Sequence, residues 1–127
     1  MTPKIDHPVL RGVKPKSETV GTIAAAQWLR RRKIVFFHVP NEGARGARES
    51  AILSTMGVRK GVPDLVIPQP PPGGTMGSVI EMKCEAGGKL SPAQRAWLDA
   101  FKALGWRTAV CNGGDAAIEQ LEAWGYG

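Results

Sequence analysis

The chain is poor in cysteine, has no long apolar run and carries fewer acids than bases, and each shortage removes a class of protein. Two cysteines in 127 residues, Cys84 and Cys111, without CxxC spacing, leave neither a disulfide framework nor a zinc site to expect. Both end apolar, strand-like runs and read as buried, inert thiols. No run of eighteen or so uncharged apolar residues offers a membrane span, and no charged-then-apolar leader opens the chain, so a soluble intracellular protein is the expectation. No Ser-His-Asp or Cys-His set is visible for nucleophilic catalysis. No internal repeat is present either. At 43% apolar residues the chain has enough material for one compact core, which argues against disorder as the dominant state.

What is abundant is positive charge. Seventeen Lys and Arg stand against eleven Asp and Glu, a formal net charge of +6. The excess is clustered: Arg30, Arg31, Arg32 and Lys33 run together, Lys14 and Lys16 precede them, and Arg59 and Lys60 follow. Such clusters suit a polyphosphate, because each neutralised phosphate releases condensed counterions. A solvated basic face without a specific partner is the plainer alternative.

Residues 1–16, with three prolines and mixed charge, read as a loosely ordered basic arm, and 17–127 as one domain. Ser17 is placed to cap a helix on which Val20, Ile23, Ala24, Gln27 and Trp28 recur at helical spacing, and which ends on the arginine cluster, where cations favour the helix dipole. Ile34–Val39 reads as a strand stopped by Pro40 and Asn41, and Ala44 to about Met56 as a weaker helix ended by Gly57. A hairpin of Leu65–Ile67 and Val79–Met82 follows. Its connection, Pro68–Gly77, is long and is expected to be a mobile tip. Ser91-Pro92-Ala93-Gln94 is a capping box with proline at the first helical position, and Trp97, Phe101 and Leu104 continue that helix as its apolar stripe to Gly105. Trp106–Cys111 reads as a strand, and Asp115–Trp124 as a closing helix with Ala117, Leu121 and Trp124 inward. The order implies an α/β domain with a small mixed sheet flanked by helices on both faces.

The hairpin holds the chemistry. An antiparallel pairing that faces Ile67 with Ser78 sets Asp64 opposite Glu81, with Cβ atoms about 4.5–5.5 Å apart on one face. Lys83 shares that face about 6.8 Å further along, and Ile80, Met82 and Cys84 point the other way, into the core. Alternation carried past the strand would also bring Glu85 to the Glu81 face. Two opposed acids destabilise a ladder unless something positive lies between them. Lys83 alone, as a structural charge triad, satisfies that condition. So does a divalent cation, because hard ions such as Mg²⁺ take carboxylate and water oxygens.

Pro63-Asp64 followed by Glu81-Met82-Lys83 resembles the signature of the PD-(D/E)XK nuclease superfamily. His38-Val39-Pro40-Asn41-Glu42, Gly57-Val58-Arg59-Lys60-Gly61-Val62-Pro63-Asp64-Leu65 and Lys89-Leu90-Ser91-Pro92-Ala93-Gln94 resemble the VRR-NUC family within it, in order and spacing, over approximately residues 17 to 124. The resemblance implies a restriction-endonuclease-like core and a DNA endonuclease using Mg²⁺ or Mn²⁺. Metal ligands would be Asp64, Glu81, the backbone carbonyl of Met82, and Glu18 from the first helix. Lys83 would position the attacking water, with Gln94 contributing from the next helix. His38 and Asn41 would lie near the cleft, and Arg30, Arg31, Arg59 and Lys60 would hold DNA. Gln94 is equally the partner of the Ser91 cap, Glu18 a helix-dipole acid, His38 a satisfied half-buried histidine and Asn41 a turn residue. Stand-alone members resemble homodimeric phage-type enzymes that cut four-way junctions, which implies branched DNA, a homodimer and the cytoplasm of a bacterial or phage-infected cell. Flap cleavage is the next substrate, and a DNA-binding module without activity the alternative function.

Overall fold

Ser17 opens the first helix, α1 (Glu18–Arg31), by accepting a hydrogen bond from the Val20 amide at 3.3 Å. The computed structural model describes residues 11–40 and 46–127. Most of the expected arm, the expected start of the second helix at Ala44, and Asn41 therefore lie outside the described residues.

From α1 the chain continues through β1 (Phe37–His38), α2 (Ala47–Thr55), β2 (Leu65–Ile67), β3 (Ser78–Lys83), α3 (Pro92–Ala103), β4 (Arg107–Asn112) and α4 (Gly114–Ala123). The strands form one mixed sheet in the order β1-β2-β3-β4, antiparallel except for the parallel β3–β4 pair, which α3 connects. The order of elements is the expected one, and so is the hairpin register: Ile67 faces Ser78, Val66 faces Val79 and Leu65 faces Ile80.

One face of the sheet builds the core. Leu65, Ile67, Ile80, Met82 and Cys111 pack with Ala25, Trp28 and Leu29 of α1 and Ala117 and Leu121 of α4. The two helices touch closely because glycines face each other: a Cβ on Gly114 would lie 2.8 Å from the Ala24 Cβ and 3.3 Å from the Gly21 carbonyl oxygen. The opposite face carries α3, which packs over β3 and β4. Its stripe differs from expectation. Leu98 is buried, Trp97 and Phe101 are half-buried in an aromatic row with Trp106, and Leu104, the helix C-cap, is 69% exposed. The helix ends before Leu104 can turn inward.

Three further expectations need correction. The strand foreseen over 34–39 shrinks to two residues, because Lys33 takes a left-handed backbone (φ 56°) and Ile34 folds back, its amide bonding the Leu29 carbonyl at 3.1 Å. Cys84 lies beyond β3, half-buried, with its thiol donating to the Gly87 carbonyl at 3.1 Å instead of pointing into the core. The 68–77 connection is pinned rather than a loose tip. Pro71 is buried, Arg107 Nη1 donates to the Met76 carbonyl at 3.0 Å, and the Tyr126 hydroxyl donates to the Gln69 carbonyl at 2.7 Å. α2 has no buried residue; Ile52 on it and Met56 at its C-cap are 51% and 75% exposed.

The Tyr126 hydroxyl also lies 2.9 Å from the buried Ser78 Oγ, so it ties Tyr126 to both ends of the connection between β2 and β3. Tyr126→Phe leaves a buried hydroxyl and a carbonyl short of partners, and urea unfolding should show a loss of about 1–3 kcal/mol.

Candidate active site

Asp64 stands just before β2, held there by ladder bonds that outrun the strand: the Val39 amide donates to its carbonyl at 2.7 Å. Its side chain crosses to the neighbouring strand, where Oδ2 accepts from the Met82 amide at 2.7 Å. Glu81, on β3, is 1% exposed, and Asp64 is 7% exposed. Lys83 follows on the same face, also buried. The three side chains line one open cleft of about 560 Å³, with Glu18, Lys60, Gly61 and the first turn of α3 at its walls. The register thus brings the three hairpin charges together as expected, with Met82 between them turned into the core.

Gln94 joins the helix cap to the charges. Its Oε1 accepts from the Ser91 amide at 2.9 Å, closing the capping box, and from Lys83 Nζ at 3.1 Å. Its Nε2 donates to Glu81 Oε1 at 2.9 Å. Two donors on one end and a carboxylate on the other leave a single sensible orientation of the amide. Gln94 is thus the capping-box partner of Ser91 and at the same time touches both Lys83 and Glu81.

Glu81 Oε2 has no hydrogen-bond partner although it is buried. Burial raises the Glu81 carboxyl from its ordinary 4.5 to about 8, helped by the charge of Asp64 and a hydrogen bond to it, opposed by Lys83 and raised slightly by Glu18. As two carboxylates, Asp64 and Glu81 offer acceptors alone. A proton shared between them supplies the missing donor, and a cation would serve the same oxygens. The donor set is all oxygen, which fits a hard divalent ion. Among the described residues no group of three or more His, Cys, Asp or Glu side chains comes together as a metal cage. Glu18 lines the cleft without closing a third ligand around the Asp64–Glu81 pair.

The remaining candidates are more dispersed. His38 is exposed, not half-buried, and its Nδ1 lies 3.0 Å from the Asp64 carbonyl, which can only accept, so Nδ1 carries the proton. Glu85 does not reach the Glu81 face: β3 ends at Lys83, the Gly87 amide bonds the Cys84 carbonyl, and strand alternation stops there, leaving Glu85 exposed. Arg30 and Arg31 end α1, about 20 Å from Glu18 at 1.5 Å per residue, so they stand well away from the cleft. Lys60 lines the cleft, and Arg59 lies 6.0 Å over the Trp97 ring.

Two contributors escaped the sequence reading. Trp97 Nε1 donates to the Lys60 carbonyl at 3.0 Å and so fixes the Arg59–Lys60 loop on α3. Gly61 has φ +77°, and a Cβ there would lie 2.7 Å from the Gln94 amide nitrogen. Only glycine lets this loop close on the start of α3. Its place three residues before Asp64 was the available signal.

The folded protein binds a proton at Glu81 that the unfolded chain releases near pH 4.5. The stability contributed is therefore complete below that value and is lost as pH rises through about 8. In chelator, the wild-type melting temperature should fall between pH 5 and 9, and the fall should be shallower in Glu81→Gln.

The VRR-NUC domain family matches the chain over residues 17–115. Among solved structures, a chain described as a VRR_NUC domain protein is similar at 25% identity and a TM-score of 0.72, covering 88% of this chain and 90% of that one. A search of curated proteins gave no match.

Proposed function

The chain belongs to the VRR-NUC family, and from that premise we propose that it is a divalent-metal-dependent endonuclease acting on DNA, with Asp64, Glu81 and Lys83 as its working residues. The observation that carries the reading is the buried, partnerless Oε2 of Glu81 beside a second carboxylate, in a cleft open to a ligand. A buried carboxylate oxygen without a donor is costly to fold, and a cation would relieve that cost.

In this reading Asp64, Glu81 and the Met82 carbonyl would hold Mg²⁺ or Mn²⁺, with Glu18 at the cleft wall. When bound, the ion supplies Lewis acidity at the phosphodiester and lowers the pKa of water. The chain's own residues do the rest. Water attacks phosphorus, a new P–O bond forms and the bond to the leaving oxygen breaks. Lys83 Nζ, held by Gln94 Oε1, is positioned to meet the negative charge that grows on the phosphoryl oxygens. Gln94 keeps Glu81 and Lys83 at fixed spacing through a helix cap that is already formed. Lys60 at the mouth, and Arg59 beside it, contact the backbone. Backbone contacts carry little sequence information, so recognition rests on DNA shape.

The finer substrate within this reading is branched DNA, four-way junctions first and flaps next, cut by a homodimer whose two sites address two strands. The uncovered apolar side chains of α2 support a second copy there.

Junction, flap and duplex DNA incubated with Mg²⁺ or Mn²⁺ should be cut, and with chelator should not. Lys83→Ala should lower the rate at least about 100-fold with its fold intact. Equal product patterns from wild type and Lys83→Ala would remove the claim. Either ion should also raise the wild-type melting temperature at pH 8 and leave that of Asp64→Ala unmoved.

A further inference from the structure

We propose that Phe37 is a stacking platform for an unpaired nucleobase next to the cleaved phosphate, so that the substrate must offer a single-stranded segment at the cleft. The inference rests on the nuclease reading for the word cleaved; the binding it describes does not need catalysis.

The ladder places the ring. Phe37 faces Val66 across the β1–β2 pair, and paired residues project to the same side of a sheet. Val66 is two residues from Asp64, so Phe37 shares the sheet face of Asp64 and Glu81. Two residues along a strand and one strand across put the Phe37 and Asp64 Cα atoms about 8 Å apart. α3 packs over β3 and β4 on this face. Toward the β1 edge burial on this face falls off: Phe37 is 52% exposed and Val66 half-buried. An aromatic ring thus lies uncovered beside the acid pair.

The edge that carries it is held firmly. The Val35 amide donates to Gln69 Oε1 at 3.0 Å, and the Gln69 carbonyl in turn accepts from Tyr126. A ring presented on a pinned strand loses little freedom on binding. Its surroundings suit nucleic acid more than protein. Lys60 and Lys83 line the cleft beside the acid pair, with Arg59 next to Lys60, whereas Arg30 lies over Phe36 and His38 pairs with Leu65, both on the other face of the sheet. A cleft lined by lysines, with an aromatic ring nearby on the same sheet face, has the two components that bind single strands: charge for the backbone and a π-face for bases. In continuous duplex every base face is covered by its neighbour. Only an unpaired or terminal base can lie on Phe37, which favours splayed arms, flaps or opened junction centres over plain duplex.

The test uses the full chain in chelator, so that nothing is cut, with splayed-arm DNA bearing 2-aminopurine at the first unpaired position. Wild-type protein should change the fluorescence on binding. Phe37→Ala and Phe37→Leu should abolish that change and bind the splayed arm roughly tenfold more weakly, the scale of one base–aromatic stack, whereas Phe37→Tyr should keep both. The proposal is overturned if Phe37→Leu binds as wild type does, if wild-type binding is absent or leaves the fluorescence unaltered, or if Phe37→Ala instead converts a dimer to monomers in sedimentation, which would assign the ring to a second copy. Stacking without metal-dependent cutting would sink the nuclease reading alone; cutting without stacking would sink this inference alone.

Discussion

Two carboxylates share one small buried space, and among the described residues one oxygen of Glu81 finds no donor there. Asp64 takes the Met82 amide, Glu81 takes the Gln94 amide, and one oxygen of Glu81 is left over. A domain of this size could have placed a valine opposite another valine there and lost nothing in packing. Keeping the acids buried holds the Glu81 carboxyl near neutrality in the absence of a cation, and makes the hairpin sensitive to whatever positive charge enters the cleft. The proposed metal chemistry grows from that deficit.

The surrounding structure serves to keep the deficit in place. Gln94 belongs to a capping box, a local feature that would form for helix reasons alone, yet its free amide group and the second lone pair of its oxygen reach across to Glu81 and Lys83. Gly61 permits the loop before Asp64 to close on that same helix start, and Trp97 ties the loop one turn further on. Helix initiation and site geometry are thus a single set of hydrogen bonds. Behind the sheet, the Gly21–Gly114 contact brings α1 and α4 close enough to bury Leu65, Ile67, Ile80 and Met82 fully, and the cleft opens on the charged face instead.

That accessibility is uneven. α3 closes the face over β3 and β4, while toward the β1 edge burial falls off. The cleft has its polar wall at the helix start, and the exposed Phe37 ring lies outside it, further along the same sheet face. Phosphate chemistry fits the first and, as proposed, a base fits the second.

The helices, the capping box, the order of strands and the facing of Asp64 with Glu81 were legible in the residues, because caps, periodicity and alternation act over a few positions. Where alternation ceased to apply, at Cys84 and Glu85, reading it onward failed, since the chain had already turned. The 34–39 strand was overestimated for a similar reason: Lys33 and Ile34 were needed to close α1. The pinned 68–77 connection was invisible because Tyr126, which holds it, lies nearly fifty residues from Ser78. What the sequence by itself determined was which acids meet, through a register that hydrophobic alternation enforces. The tertiary structure decided how deeply they are buried, which oxygen goes without a donor, and which edge of the sheet is left bare. Burial and hydrogen-bond supply depend on distant elements packing together, and no local pattern encodes that sum.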